Sequence, residues 1–173
     1  MLKVLNEALT WVNHPYDSSR RKQLLLCVTG EGGTGKSHPK AIVDAIDILG
    51  RKDEIILMVP TGAAADTIGG NTYHTSLAIS INRLQKGAIS SRIRRLWAHK
   101  TIMFIDEMGM MDLTMLSMIN NHCRIARSLD RSSPDFLGGL PVVIPMGDFF
   151  QFPPVRGPAL WKEVHESAFP MYD

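Results

Sequence analysis

Gln23-Leu24-Leu25-Leu26-Cys27-Val28-Thr29 runs directly into Gly30-Glu31-Gly32-Gly33-Thr34-Gly35-Lys36-Ser37. The first seven residues are a short apolar run of the length of a buried strand. The next eight match G-x-x-x-x-G-K-[ST], a phosphate-cradling turn when it joins a strand to a helix. A helix is expected after it, because Ile42, Ala45, Ile46 and Leu49 recur at helical spacing and Gly50 supplies a stop. The residue types suit the chemistry. Gly30, Gly32, Gly33 and Gly35, with Thr34, let the backbone curl so that successive N–H groups point at phosphate oxygens. The start of the following helix adds a positive end. Lys36 would reach the β- and γ-phosphates, and the Ser37 hydroxyl would ligate Mg²⁺. The expected ligand is therefore ATP with Mg²⁺.

Outward from this turn, strands and helices alternate. Ile55–Val59 reads as a second buried strand ended by Pro60, and Ala63–Ile68 as a short helix ended by Gly69-Gly70. Ile89, Ile93, Leu96 and Trp97 form an apolar stripe, with Arg92 and Arg95 off it. Thr101–Ile105 is a third strand that delivers two acids, Asp106 and Glu107, at its end. Asp106 is a candidate Mg²⁺ ligand and Glu107 a candidate base for the attacking water. Asp112 caps a helix with Leu113, Leu116 and Ile119 on its inner face, and Pro141–Met146 is a fourth strand. The pattern predicts an α/β, three-layer P-loop NTPase domain with a mostly parallel central sheet. In such sheets ligands bind beyond the carboxyl ends of the strands, where each of these motifs falls. An N-terminal helix and connector are expected over residues 1–22, and the NTPase domain over 23–173.

Composition narrows the class. With 45% hydrophobic and 21% charged residues in 173, the chain can bury a core of ordinary globular size. Apolar runs such as Leu24–Val28 and Ile55–Pro60 are too short to span a membrane, and Met1–Asn13 lacks the features of a signal peptide. Cys27 and Cys123 both sit in apolar stretches and read as buried thiols in a reducing, intracellular compartment. Net charge is only +2, yet no acidic residue lies between Asp66 and Asp106, while Arg83, Lys86, Arg92, Arg94, Arg95 and Lys100 do. That block suits either a polyanionic partner or a solvated helix face.

Five blocks together resemble the PIF-type (petite integration frequency) DNA helicases, superfamily-one motors with relatives in Helitron transposons. They are Gly33-Thr34-Gly35-Lys36-Ser37, Pro60-Thr61-Gly62-Ala63-Ala64, Ile68-Gly69-Gly70-Asn71-Thr72-Tyr73-His74-Thr75, Ile105-Asp106-Glu107-Met108 and Gly147-Asp148-Phe149-Phe150-Gln151-Phe152-Pro153-Pro154-Val155. The resemblance runs from about Leu24 to Trp161 in the family's motif order, and the last block is its most specific piece. It implies a RecA-like first motor domain that hydrolyses ATP and tracks single-stranded DNA 5′-to-3′. It also implies work in recombination, repair or telomere maintenance in the nucleus or mitochondrion. Thr61, Gly62 and His74 would lie along the DNA backbone, Gln151 would couple the γ-phosphate to the DNA, and Pro153, Pro154 and Val155 would shape the path near the bases.

The chain departs from the family pattern at several points. Pro39 falls in the first turn after the phosphate loop, and Asn6-Glu7-Ala8 stands where an adenine-reading glutamine is expected. Gly109 replaces a serine, which is expected to loosen the backbone. Pro145 is expected to interrupt the strand that aims Asp148 and Gln151. The sequence stops at Asp173, so the family's second motor domain, which the first would close against, is expected to be a missing partner. The competing expectation is a truncated or decayed module that binds nucleotide or nucleic acid without unwinding.

Overall fold

The structure is a computed structural model that describes residues 23–30, 43, 44, 46–79, 90–127, 135–150, 152–155 and 157–160. Among the described residues six short strands make one sheet: β1 (Leu24–Leu25), β2 (Val28–Thr29), β3 (Ile55–Val59), β4 (Asn71–Thr72), β5 (Ile102–Ile105) and β6 (Val142–Gly147). The order is β1-β6-β5-β3-β4, with β2 also on β6, and every pairing is parallel. The described helices include α1 (Gly62–Ile68), α2 (Tyr73–Leu77), α3 (Ser91–Ala98) and α4 (Leu113–Ala126). Val43, Asp44 and residues 46–48 are helical as well.

Side-chain alternation divides the core in two. Ile56 and Met58, Met103 and Ile105, and Val143 point to one face, where they meet Tyr73 and Leu77 of α2, Trp97 of α3 and Ile119 and Cys123 of α4. Ile55, Ile102, Phe104, Val142, Ile144 and Met146 point to the other face, against Ile46 and Val43. A period of two on strands buried on both sides produces these near-continuous apolar runs. Helices on both faces of a parallel sheet give the expected three layers.

The capping chemistry follows the sequence closely. Thr61 Oγ1 accepts the Ala64 N–H at 3.2 Å, and Asp112 Oδ1 accepts the Met115 N–H at 2.6 Å. Gly69 ends α1 with φ of 67°, a left-handed turn that costs little without a Cβ. Within the stripes, Trp97 and Ile119 are fully buried, whereas Leu49 and Leu96 are exposed. The segment Met1–Val12, Ile89 and the departures at Pro39 and Asn6-Glu7-Ala8 lie outside the described residues.

Four expectations need correction. Gln23–Thr29 is not one buried strand but two pieces split at Leu26–Cys27, and Pro145 is the cause. Val142 N–H donates to Thr101 O on the β5 side, while Leu26 N–H donates to Val143 O on the β1 side. Peptide groups alternate sides along a parallel strand, so the position of the missing Pro145 N–H faces β1, opposite Leu26. The proline therefore breaks the ladder toward β1 and spares the one toward β5, where Ile105 still pairs with Pro145. β6 runs on unbroken to Gly147, so it is not interrupted.

Cys27 is exposed rather than buried, whereas Cys123 is fully buried. Among the described residues β1 and β2 pair only with β6, which leaves Cys27 beside an apolar crevice lined also by Leu25, Met108, Leu116 and Pro145. Burial pushes both thiols up, Cys123 far more. Alkylation at pH 8 should label Cys27 quickly and Cys123 only on unfolding, as read by mass spectrometry of the two peptides. Equal labelling rates in the folded protein would contradict this packing.

Lys100, counted in the basic block, is buried. Its ammonium donates to Asp53 O at 2.5 Å and Ile55 O at 2.8 Å, tying the start of β5 to the start of β3. Burial lowers its pKa, partly offset by Asp53. It is a structural cation and leaves Arg92, Arg94 and Arg95 as the exposed part of the block among the described residues.

Candidate nucleotide and nucleic-acid site

The strand order arranges the motifs in a row along one edge of the sheet. Thr29 pairs with Gly147, so Gly30, the first residue of the phosphate loop, leaves the sheet beside Asp148. Ile105 pairs with Pro145 and with Met58, which puts Asp106–Glu107 between the end of β6 and the end of β3. Thr61 follows β3, and Val59 pairs with Thr72, so the Thr72–His74 turn comes next. Neighbouring strands are ~4.8 Å apart. Gly30 thus stands at one end of the row and Thr61, Gly62 and His74 at the other, with the two acids at the boundary. Gly32, Gly33, Thr34, Gly35, Lys36, Ser37 and Gln151 lie outside the described residues.

Asp106 and Glu107 are both half-buried. Asp106 N–H donates to Met58 O at 2.9 Å, which continues the β5 ladder to the acid itself. One carboxylate oxygen of Asp106 accepts the Glu107 N–H at 2.8 Å, leaving the other oxygen as a potential metal ligand. Glu107 adopts φ 54°, ψ 40°, the left-handed region. A residue with a Cβ pays roughly 1–2 kcal/mol there. The chain then makes one 3-10 turn, Met108–Met110, with Met110 N–H on Glu107 O and Met111 N–H on Met108 O. Strain of this kind at an acidic residue marks a position that the surrounding structure over-determines. Among the described residues no group of three or more His, Cys, Asp or Glu could hold a metal. One carboxylate, one hydroxyl and phosphate oxygens make the sparse protein set that Mg²⁺ accepts.

Tyr73 lies beneath the acids. It is 2% exposed, and its hydroxyl donates to Asp106 O over a long 3.4 Å. Burial, then the charges of Asp106 and Glu107, push its pKa up, so it stays a neutral phenol. Its neighbour His74 is half-buried, and burial lowers its pKa, keeping it neutral near pH 7. A Cβ on Gly62 would meet nothing within 4 Å, so the fold itself does not require glycine there. What its absence preserves is access to backbone at the start of α1.

The segment after β6 is anchored at both ends. Asp148 is 5% exposed and its Oδ1 accepts the Phe150 N–H at 2.9 Å. Ala159 forms an antiparallel bridge to Asp112, and Leu113 N–H donates to Pro158 O at 3.2 Å. Between these anchors Phe150, Phe152 and Val155 are 93%, 76% and 91% exposed, and Pro153 is exposed beside them. Sequence reasoning singled out Pro153 and Pro154 here but not the two phenylalanines. One of the two anchors, the tie of Pro158–Ala159 to Asp112–Leu113, is non-local and not legible from neighbouring residues. Gly109 does not loosen the backbone as expected. A Cβ on it would run into the Asp148 carbonyl oxygen and come 3.2 Å from the Asp148 carbonyl carbon. The turn is closely packed because the side chain is absent.

Comparison with known proteins agrees with this geometry. The family model for PIF1-like helicases matches residues 12–168. The chain is 34% identical over 142 residues to ATP-dependent DNA helicase RRM3 of Saccharomyces cerevisiae, covering 78% of this chain and 19% of that protein. It is 31% identical over 143 residues to ATP-dependent DNA helicase PIF6 of Trypanosoma brucei brucei, covering 17% of it. The chain thus spans about a fifth of the length of these relatives. Among solved structures, Pif1 helicase from Candida albicans superposes with a TM-score of 0.65 at 27% identity, over 90% of this chain and 33% of that one. Pif1 helicase from Bacteroides in complex with ADP-AlF3 and ssDNA superposes with a TM-score of 0.61 at 26% identity, over 88% of this chain and 34% of that one. With its motifs in family order along one sheet edge, the chain belongs to the PIF1-like helicase family.

Proposed function

We propose that this chain is the ATP-binding and ATP-hydrolysing half of a DNA helicase motor that holds single-stranded DNA along the same sheet edge. The observation that carries the reading is the strand order. It sets the start of the phosphate loop, the acid pair and the Thr61–His74 segment side by side at the carboxyl ends of β2, β6, β5, β3 and β4.

In this reading the amides of Gly30–Gly35 and the Lys36 ammonium hold the triphosphate. Ser37 and the unengaged Asp106 oxygen would hold Mg²⁺, which supplies charge neutralisation on the phosphates when bound. Glu107 accepts a proton from the attacking water and orients it in line with the γ-phosphate. Gln151 reads whether the γ-phosphate is present. On the nucleic-acid side, the Thr61 hydroxyl, already accepting from Ala64 N–H, keeps its own proton to donate to a phosphate. The bare backbone at Gly62 and the neutral ring of His74 suit the same role. The exposed faces of Phe150 and Phe152 suit base stacking, and Pro153 and Pro154 would limit how the strand passes them. The exposed Arg92, Arg94 and Arg95 add positive charge from the same domain.

The test is calorimetric titration of the full chain with Mg²⁺-ATP, with phosphate release measured with and without oligo-dT. Expected are magnesium-dependent nucleotide uptake, turnover that rises with oligo-dT, and loss of both in Lys36→Ala. Folded protein that takes up no nucleotide would end this reading. Uptake without turnover would instead assign a silent binding module.

A further inference from the structure

Pro145 leaves a backbone acceptor without its partner. On the side of β6 that faces β1, Leu24 N–H donates to Pro141 O at 2.8 Å and Leu26 N–H to Val143 O at 3.0 Å. A parallel ladder continued in this register would bring the N–H of residue 145 to Leu26 O. Proline has no N–H, and among the described residues no other donor takes its place. The Leu26 carbonyl is thus turned toward a break between the strands, and Leu26 itself is only half-buried. An acceptor in such a place gains from any donor that reaches it.

The break lies at the apolar crevice beside Cys27. Leu25 and Cys27, on either side of Leu26, both line it, and so does Pro145 opposite. Leu25 and Cys27 are exposed and stand at its rim, while Ile105, Met111 and Val143 are buried and form its floor. The volume is about 150 Å³. Hydrocarbon-lined space of that size holds an aromatic ring. Met108 and Met111 add flexible thioethers, which adapt to a ring and offer sulfur to its edge.

We propose that this crevice is a binding site for a small planar apolar molecule with a single hydrogen-bond donor, of the indole or phenol class, whose donor takes the Leu26 carbonyl that Pro145 leaves unpaired. The cavity supplies the apolar contact and the carbonyl supplies the selectivity. An apolar pocket alone would take a hydrocarbon as readily, and a carbonyl alone would take water. The site lies on the α4 side of the sheet, against Leu116, so it does not depend on how nucleotide or DNA is held at the strand ends. A bound ring would cover the Cys27 thiol.

The test follows alkylation of Cys27 by iodoacetamide in the full chain, read by mass spectrometry, with glutathione in the same mixture as a control for the reagent. Indole at ten times its dissociation constant should slow Cys27 alkylation ~10-fold and leave glutathione unaffected. Benzofuran, which has the same shape with a ring oxygen in place of the N–H, should need ~5-fold or more higher concentration for equal protection. Pro145→Val restores the strand N–H and occupies the Leu26 carbonyl, so indole should then change the rate by less than about twofold. Cys27 alkylated at an unchanged rate in indole-saturated solution overturns the proposal. So does equal protection by indole and benzofuran, or protection retained in folded Pro145→Val. The comparison of the two ligands on the unaltered protein decides the matter even if Pro145→Val does not fold.

Discussion

Glu107→Gln should lower oligo-dT-stimulated phosphate release by ~10²–10⁴-fold while nucleotide affinity by calorimetry stays within about threefold. The amide keeps the shape of the carboxylate but cannot take a proton from water. Binding should survive because, in the proposed reading, Gly30–Ser37 would supply the phosphate contacts and Asp106 the metal contact. A second substitution at this position separates backbone from chemistry. Glu107 sits at φ 54°, where a Cβ costs roughly 1–2 kcal/mol. Glu107→Gly should therefore lose turnover as fully as the glutamine variant and yet melt higher, by ~2–4 °C. Loss of activity together with a gain in stability is the signature of strain held at a working residue. Unchanged turnover in Glu107→Gln would remove this residue from the chemistry, and a lower melting point in Glu107→Gly would show that the left-handed turn carries no strain.

The largest stability effect is expected far from the site. Arg127→Ala should destabilise the fold by about 3 kcal/mol or more, lowering the melting temperature by ~6–12 °C. Its Nε donates to Gly138 O at 2.7 Å, and one terminal nitrogen donates to Lys100 O at 2.8 Å and Trp97 O at 3.2 Å. One guanidinium thus ties the end of α4 to the end of α3 and to the turn before β6. That turn, Phe136–Gly139, contains Leu137 at φ 47° and Gly138 at φ 70°. Alanine would leave three carbonyls without this donor. Arg127→Lys should recover only part of the loss, because an ammonium on a flexible stem cannot reproduce the fork. The exposed Arg92→Ala and Arg95→Ala should each stay within ~0.5 kcal/mol. Thermal unfolding of the four variants decides this, and an Arg127→Ala melting point equal to the unaltered protein would refute the clamp.

These arginines show where reading the chain stopped. Trp97 and Ile119 follow from helical spacing alone, and both are buried. Lys100 belongs to the same run of cations as Arg95, yet it is inside and Arg95 is outside. Nothing local distinguishes them. Lys100 is buried because Asp53 and Ile55, some 45 residues earlier, present carbonyls to it. The Asn71–Thr72 strand and the five-residue helix after it were equally illegible, being too short for either period to register. Thr72 caps that helix, and pairing with β3 holds it in place. Pro145 and Gly109 read as defects in a linear sequence. In three dimensions the proline's missing N–H faces β1 and spares the ladder to β5, and the glycine makes room for another loop.

The sequence by itself determined the alternation of strands and helices, the phosphate-loop pattern, the acid pair at a strand end and the family. Each of these is written in residue types within a few positions of one another. Only the tertiary structure decided that β6 lies between the phosphate-loop strand and the acid strand, which cations are buried, and that Gly109 must lack a side chain. Strand order and close approach are contacts between residues distant in the chain, and hydrophobic periodicity carries no information about which partner a buried face will meet.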